Sequence, residues 1–357
     1  MADSNAVELA KRSDKRFSKR AQLDGFRQEV ALNFAPWHAS WQSELVMGSD
    51  FCSHLVDGTP LLLARDFVGQ IGAMLRPPGK QWFWHRSVID KVNNNARNRE
   101  YLDWRSAQMM RIMTDRVTGF GRAMKQADEF FGLFGDAVIS VDGSEMQDSL
   151  RIRSWHTKDC VWAIGSENRV DTLTRREMMP ARVMAVRFER KKLHQKVLEA
   201  LEKDPDQEFE VRHDVMPDDE YDDIKGTSLK RKPGQGFASV WTDASNKTVL
   251  SEAWTETFRY CVPRWVTLPN WSYAISPATT IALPDARLIQ QQAVAILEAA
   301  EKSINPPLIA YSDTIRGDIR LESLGITWVD RDYDEKTGAP VTPLELGKHF
   351  QLGVESL

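Results

Sequence analysis

The chain has 357 residues, 42% of them hydrophobic and 27% charged, enough to bury a substantial core and to build two or three domains. A formal charge of −4 argues against a surface that grips duplex DNA by broad phosphate neutralisation, so any contact with nucleic acid must be weak or local. Cys52, Cys160 and Cys261 are far apart, odd in number and without a C-x-x-C pair, which argues against a disulfide framework or zinc knuckle, and no run approaches the roughly 18 apolar residues that span a bilayer.

The N-terminus lacks the apolar core of a secretion signal, so a soluble, unsecreted chain assembled in a reducing cytoplasm is expected. Lys11-Arg12, Lys15-Arg16 and Lys19-Arg20 recur at spacings near four, and Leu23, Phe26, Val30 and Phe34 continue on a helical period up to Pro36. This pattern predicts a basic arm leading into an amphipathic helix, its charge run read as a solvated face, with a contact to nucleic acid or a partner as the alternative. A buried helix is expected over 59–75, from the spacing of Leu62, Phe67, Ile71 and Leu75, and it should stop at Pro77-Pro78-Gly79. Trp82, Phe83 and Trp84 form an aromatic cluster suited to a core or an interface.

Helical patterning resumes over 98–134, in two helices closed by Gly132 and Gly135, and short strands are expected over 136–141, 150–155 and 160–164. The second half predicts one long amphipathic helix over 180–203, carrying Val183, Leu193, Val197, Leu198 and Leu201 and ending at Asp204-Pro205. An acidic run over 204–223 holds ten carboxylates against Arg212 alone, and the basic, Gly-rich 225–236 follows. Strands are expected over 237–241, 248–254 and 257–265. Pro284-Asp285 then opens a helix with Ile289, Ala293, Ile296, Ala300 and Ile304 on one face, ending at Asn305-Pro306-Pro307, and the charged turn 330–338 reads as a hairpin. Helix, β-rich excursion and helix can form a hairpin with a β module at its tip, or two unrelated core helices flanking strands; either way the chain is of the α+β class.

Motifs for chemistry are sparse. Gly119-Phe120-Gly121-Arg122-Ala123-Met124-Lys125 fits neither phosphate-cradling glycine pattern, and no H-E-x-x-H or G-x-S-x-G occurs. Asp218, Asp219, Glu220, Asp222 and Asp223 offer oxygen ligands of the kind Mg²⁺ takes, and a metal-dependent DNA-processing enzyme is the rival reading. Contiguous carboxylates repel one another, however, and more often mark a solvated or mobile loop. No catalytic, cofactor or metal residue is therefore assigned, and the chain is expected not to be an enzyme.

Within 271–308, the run YAISPATTIALPDARLIQQQAVAILEAAEKSINPPL resembles the hallmark segment of the bacteriophage head-to-tail connecting (portal) proteins of short-tailed phages, through Ala282-Leu283-Pro284-Asp285 and Asn305-Pro306-Pro307-Leu308. Lesser similarities, such as Phe237-Ala238-Ser239-Val240 and Val262-Pro263-Arg264-Trp265, extend the match across nearly the whole chain. The resemblance implies a portal fold: a wing over 1–177 and 306–357, stem helices over 178–203 and 281–305, and a clip over 204–280. Family members continue past 343–357 into a crown, which is expected to be missing or to lie outside this chain.

The family pattern implies a homododecamer at the head-tail junction of the virion, a conduit for packaging and ejection of double-stranded DNA. Its implied partners are the terminase large subunit, tail adaptor proteins, scaffolding protein and major capsid protein, with no membrane and no cofactor. A non-ring adaptor of the same junction is a further alternative. On this reading Gln290, Gln291, Glu298, Glu301 and Lys302 are candidates for a channel-facing or inter-subunit stem face, and Lys225, Lys230, Arg231 and Lys232 for a clip contact with terminase or adaptor.

Overall fold

The computed structural model describes residues 3–46, 48–143, 149–165, 167–226, 236–304, 308–310 and 341–343. It divides into two compact units: Met1–Cys52 with Thr59–Leu283, and Ser53–Gly58 with Pro284–Leu357.

The first unit opens on α1 (Ser4–Phe34), at about 1.5 Å per residue a rod on the order of 45 Å long. Its arginines and lysines part company. Lys11, Lys15 and Lys19 are exposed, whereas Arg12 and Arg16 bond Glu220 at 3.2 and 3.3 Å, and Arg20 is buried. Arg20 donates to the backbone carbonyls of Thr157, Lys158 and Cys160, and Arg27, also buried, is ion-paired to Asp136. The solvated-face reading of this run therefore holds for the lysines and fails for the arginines. Arginines at 12, 16 and 20 share one helical stripe, and a guanidinium offers enough donors to be buried if each meets an acceptor.

Four helices follow: α2 (Thr59–Leu75), α3 (Asp90–Asn94), α4 (Ala96–Thr114) and α5 (Phe120–Phe134). The helix α2 spans the predicted range but is not the buried helix expected: only Pro60, Ala64 and Ile71 are buried, while Leu62 and Leu75 are 55 and 54% exposed. It crosses α5 where Gly132 admits Ile71 and Phe67, and a Cβ there would lie 3.1 Å from Ile71 Cδ1. Gly135 ends α5 at φ +84°, a left-handed cap that a side chain disfavours.

Five strands form one antiparallel meander: β3 (Cys160–Ile164), β4 (Val170–Pro180), β5 (Glu208–Pro217), β6 (Phe237–Asp243) and β7 (Thr248–Thr255), in that spatial order. A second sheet holds β1 (Val138–Gly143) between β2 (Leu150–Trp155) and β8 (Tyr260–Cys261). The pair β9 (Val266–Thr267) and β10 (Ala274–Ile275) completes the unit.

The acidic run 204–223 is not a loop. In β5 the residues Phe209, Val211, His213 and Val215 alternate with Glu210, Arg212 and Asp214, a period of two with one apolar face, which the carboxylates disguise. Because β5 pairs with β4 from Leu173↔Val215 to Pro180↔Glu208, the strands after residue 204 continue the sheet begun at Cys160 and do not stand apart as a module at the tip of a hairpin.

The expected helix over 180–203 is likewise divided, into α6 (Ala181–Arg187), a 3₁₀ turn at Arg190–Lys192 and α7 (Gln195–Lys203). At roughly 100° per residue, the five-residue step from Phe188 to Leu193 would place the two about 140° apart on a continuous helix. Breaking the helix lets Met184, Phe188, Leu193 and Val197 enter one core with Phe209, Val211 and Leu250. Burying each such side chain is worth roughly 1.5–3 kcal/mol. The opposite sheet face packs Met216, Ala238 and Val240 against Leu9 of α1 and Tyr221 of α8 (Asp218–Lys225).

The second unit contains α9 (Leu283–Ile304) from Pro284 onward and the strand pair β11 (Leu308–Ala310) and β12 (Val341–Pro343). Gln290 holds the segment 53–58 of the same unit: its Oε1 accepts from the amides of Val56 and Asp57 at 2.9 and 3.1 Å, and its Nε2 donates to the Asp57 carbonyl at 2.7 Å. The expected hairpin turn at 330–338 lies outside the described residues, as does the chain after Pro343.

Candidate assembly interface

The start of α9 is tightly specified. Ser276 and Thr279 bond reciprocally, the amide of each donating to the hydroxyl of the other at 3.2 and 3.4 Å, and the Ser276 hydroxyl donates to Leu133 O at 2.7 Å. This knot precedes a single π turn at Ala278–Ala282 that runs into α9, where Pro284 and Asp285 sit in the first turn, a position that tolerates a missing donor and favours negative charge.

Along α9, Ile289, Ala293, Ile296 and Ala300 are half-buried on one face, as their spacing predicts, while Ile304 is exposed. The opposite face exposes Gln291, Glu298, Glu301 and Lys302, all four candidates from the polar pattern. Gln290 is different: it is half-buried and committed to the backbone of Val56 and Asp57. Near the polar residues stand Leu288, Val294 and Leu297, at 53, 40 and 60% exposure, which the polar reading of this face overlooked. Leu288 and Leu297 flank the polar residues and Val294 stands among them, so the exposed face mixes apolar and polar side chains.

Lys225 is already engaged. Its ammonium bonds Glu252 Oε2 at 2.7 Å, and the Tyr221 hydroxyl donates to Glu252 Oε1 at the same distance, closing α8 onto β7. Burial pushes the Glu252 carboxyl up, but the bonds from Lys225 and Tyr221 outweigh it and leave the group below its usual range. Burial and the Glu252 carboxylate together raise the Tyr221 phenol. Lys230, Arg231 and Lys232 lie outside the described residues.

The carboxylates of the acidic run are put to structural use. Glu220 receives Arg12 and Arg16, and Asp214 accepts from the Thr174 hydroxyl, its carboxyl pushed up to about 6 by burial. Among the described residues no group of three or more His, Cys, Asp or Glu is arranged to hold a metal ion. The buried histidines are also structural. His213 bridges Tyr260 Oη at 2.7 Å and Ser239 Oγ at 2.8 Å and stacks on Trp241 at 4.1 Å, with its basicity driven far down by burial. His156 packs among Trp41 and Phe130 and is lowered to about 3, again by burial.

Another largely uncovered surface belongs to α4. Of its 19 residues only Ser106 is buried, and Tyr101, Trp104, Met109 and Ile112 are all more than 40% exposed. The Tyr101 and Trp104 rings stack at 5.9 Å on the outer side. Its inner side is held by the preceding segment, with the amide of His85 bonded to Ser106 Oγ at 2.7 Å and Arg86 to Asp103 at the same distance. A helix buried so little gains little tertiary stabilisation, the usual source of helix stability in proteins. The exposed aromatics gave a sequence signal, Tyr101 and Trp104 at i, i+3, but the pattern alone does not say which face lacks a cover.

The first unit is a packed sheet-and-helix body, and α4 in it and α9 in the second unit each present an outer face of mixed apolar and charged residues. The chain matches the family of bacteriophage head-to-tail connecting proteins over residues 6–355, and it belongs to that family. A comparison with curated proteins gave no match. No helix among the described residues is long and apolar enough to cross a membrane.

Proposed function

We propose that the chain is the subunit of a portal, a dodecameric ring at the head-tail junction of the virion through which double-stranded DNA is packaged and ejected. The observation that carries this reading is the family match, which spans residues 6–355 and so engages the whole architecture. The exposed faces of α9 and α4 support it, since both are contact surfaces that a solitary subunit leaves open. In the ring, α9 lies in the stem, and Gln291, Glu298, Glu301 and Lys302 face a neighbouring stem or the channel, with Leu288, Val294 and Leu297 against the neighbour. Gln290 serves this face by fixing the segment beside it.

A net charge of −4 per subunit suits a passage, because a wall of net negative potential repels phosphate and lets DNA slide. Lys230, Arg231 and Lys232 are the proposed contact with the terminase large subunit during packaging and with tail adaptors afterwards. Scaffolding and capsid proteins meet the outer body, and assembly takes place in the host cytoplasm. ATP hydrolysis is left to the terminase.

Negative-stain imaging of the purified chain tests the proposal. Rings with a central hole wide enough for duplex DNA are expected, and particles that remain monomeric under assembly conditions would overturn it.

A further inference from the structure

The outer face of α4 is basic as well as aromatic. Arg97, Arg105 and Arg111 are exposed, form no ion pair among the described residues, and fall on the same side of the helix as Tyr101, Trp104 and Ile112. Elsewhere on the first unit, α7 and the start of β5 carry Glu199, Glu202, Asp204, Asp206 and Glu208, all exposed, against Lys196 and Lys203, with Leu198 36% exposed beside them. Of these carboxylates only Asp206 has an ion-pair partner among the described residues, Arg182 at 2.7 Å. Thus one chain presents an aromatic, arginine-rich ridge and an acidic edge with an apolar neighbour; within the edge Glu199 also accepts from Gln195 at 3.0 Å and Asp204 from the Asp206 amide at 3.3 Å, while Glu202 and Glu208 form no ion pair among the described residues.

We infer that the α4 ridge docks on the acidic edge formed by α7 and β5 of a second copy of this chain. Charge complementarity selects the partner surface, and the aromatic pair supplies the desolvated centre; Tyr, Trp and Arg are the residue types that dominate protein contacts. Duplex DNA would satisfy the arginines but would leave Trp104 and Ile112 in water, so a protein surface accounts for more of the face. Because ridge and edge are different surfaces, the contact is heterologous, the kind that closes into a ring when its rotation closes. The inference rests on the ring reading above and names which surfaces make the ring.

Three variants of the full chain test it beside wild type: Arg105→Glu with Arg111→Glu, Glu199→Lys with Glu202→Lys, and all four changes together. The readouts are mass photometry and negative-stain imaging at about 50 mM and about 500 mM salt, where screening is respectively weak and strong. Circular dichroism and a thermal melt confirm that each variant is folded.

Each charge reversal alone is expected to weaken association at least tenfold at low salt. The quadruple variant, with the charges exchanged, is expected to regain rings. Reversals that leave rings intact, or a quadruple variant no better than its parents, would overturn this inference and leave the ring itself standing. An α4 variant that assembles normally but retains less DNA would assign the helix to nucleic acid instead. A wild-type chain that never associates would overturn both readings.

Discussion

Replacing Asp136 with alanine should unfold the first unit more readily than any surface change. Asp136 is fully buried, its Oδ2 paired with the equally buried Arg27 and its Oδ1 accepting from the amide of Ala274 at 3.0 Å, so one carboxylate ties α1 to β10 just after the cap of α5. Arg27 also lies over the Tyr273 ring, 5.4 Å from its centroid. Burial raises Asp136 to about 6 against the pull of Arg27, and it lowers the basicity of Arg27, so the environment penalises both charges and each depends on the other. Removing one member of such a pair strands the other and costs about 3–5 kcal/mol. Asp136→Ala is therefore expected to lose that much in equilibrium denaturation. Asp136→Asn, which keeps an acceptor for Ala274, should lose less. The double variant Arg27→Met, Asp136→Asn should fall well short of the sum of its singles, since no charge is left buried. A loss below about 1 kcal/mol for Asp136→Ala, or strict additivity in the double variant, would refute this account of the pair.

Gly135→Ala is expected to cost at least about 2 kcal/mol, because it combines a φ of +84° with a Cβ placed 2.8 Å from the carbonyl carbon of Ile275; an unchanged melting temperature would show that the cap relaxes. Gln290→Ala removes three bonds to the backbone of 56–57, and hydrogen exchange at the amides of Val56 and Asp57 should accelerate at least tenfold while the first unit is unaffected. The pH profile of stability follows from four buried groups. His213 and His156 bind a proton in the unfolded chain near pH 6.5 but resist it when folded, so they contribute stability above that pH that is lost as pH falls. Asp136 and Asp214 have raised folded values near 6, so they favour the folded state below the unfolded carboxylate range, and that contribution is lost as pH rises through 6. Between about pH 4 and 6 the two pairs offset each other, and stability should be nearly flat, then fall below about pH 4, where the lowered Glu252 carboxyl adds its own loss to that of the histidines; a steep loss between pH 6 and 5 in urea titrations would contradict this balance.

Most of the helices and short strands were legible because each carries a simple signal: a 3.6 period in α5, a period of two in β2, a continuous apolar run in β3. What escaped was structure in which two signals compete. In β5, carboxylates at alternate positions hide a strand, and the 3.6 period of 180–203 slips by one residue at Phe188–Leu193, where the helix breaks. The strand β4 was not anticipated, since its run from Val170 to Pro180 mixes arginine and glutamate with methionine and gains its place only by pairing with β3 and β5. At the candidate interface the exposed polar residues of α9 could be read from spacing. Gln290's engagement with Val56 and Asp57 could not, because the partners are more than 230 positions away in sequence.

Charge illustrates why composition alone misleads. The N-terminal basic run invites a nucleic-acid reading, yet its arginines face inward: Arg12 and Arg16 meet Glu220, Arg20 caps three carbonyls and Arg27 meets Asp136. Farther along, Arg175 is buried over the ring of Trp155 at 3.6 Å, Arg187 lies over Trp241 at 4.0 Å at the surface, and Arg212 is bonded to Asp14 and Glu210, so part of the positive charge is already engaged within the chain. A cation buried against a carboxylate or an aromatic face cannot neutralise phosphate. The exposed lysines of α1, the Arg190–Lys192 turn and the arginine ridge of α4 are among the basic surfaces left in the described part of the first unit. If the ridge is covered by the acidic edge of a neighbour, assembly removes one of those surfaces as well, and each added subunit leaves the ring with fewer free cations than the isolated chain. The same contact that closes the ring thereby lowers its grip on the DNA proposed to pass through it.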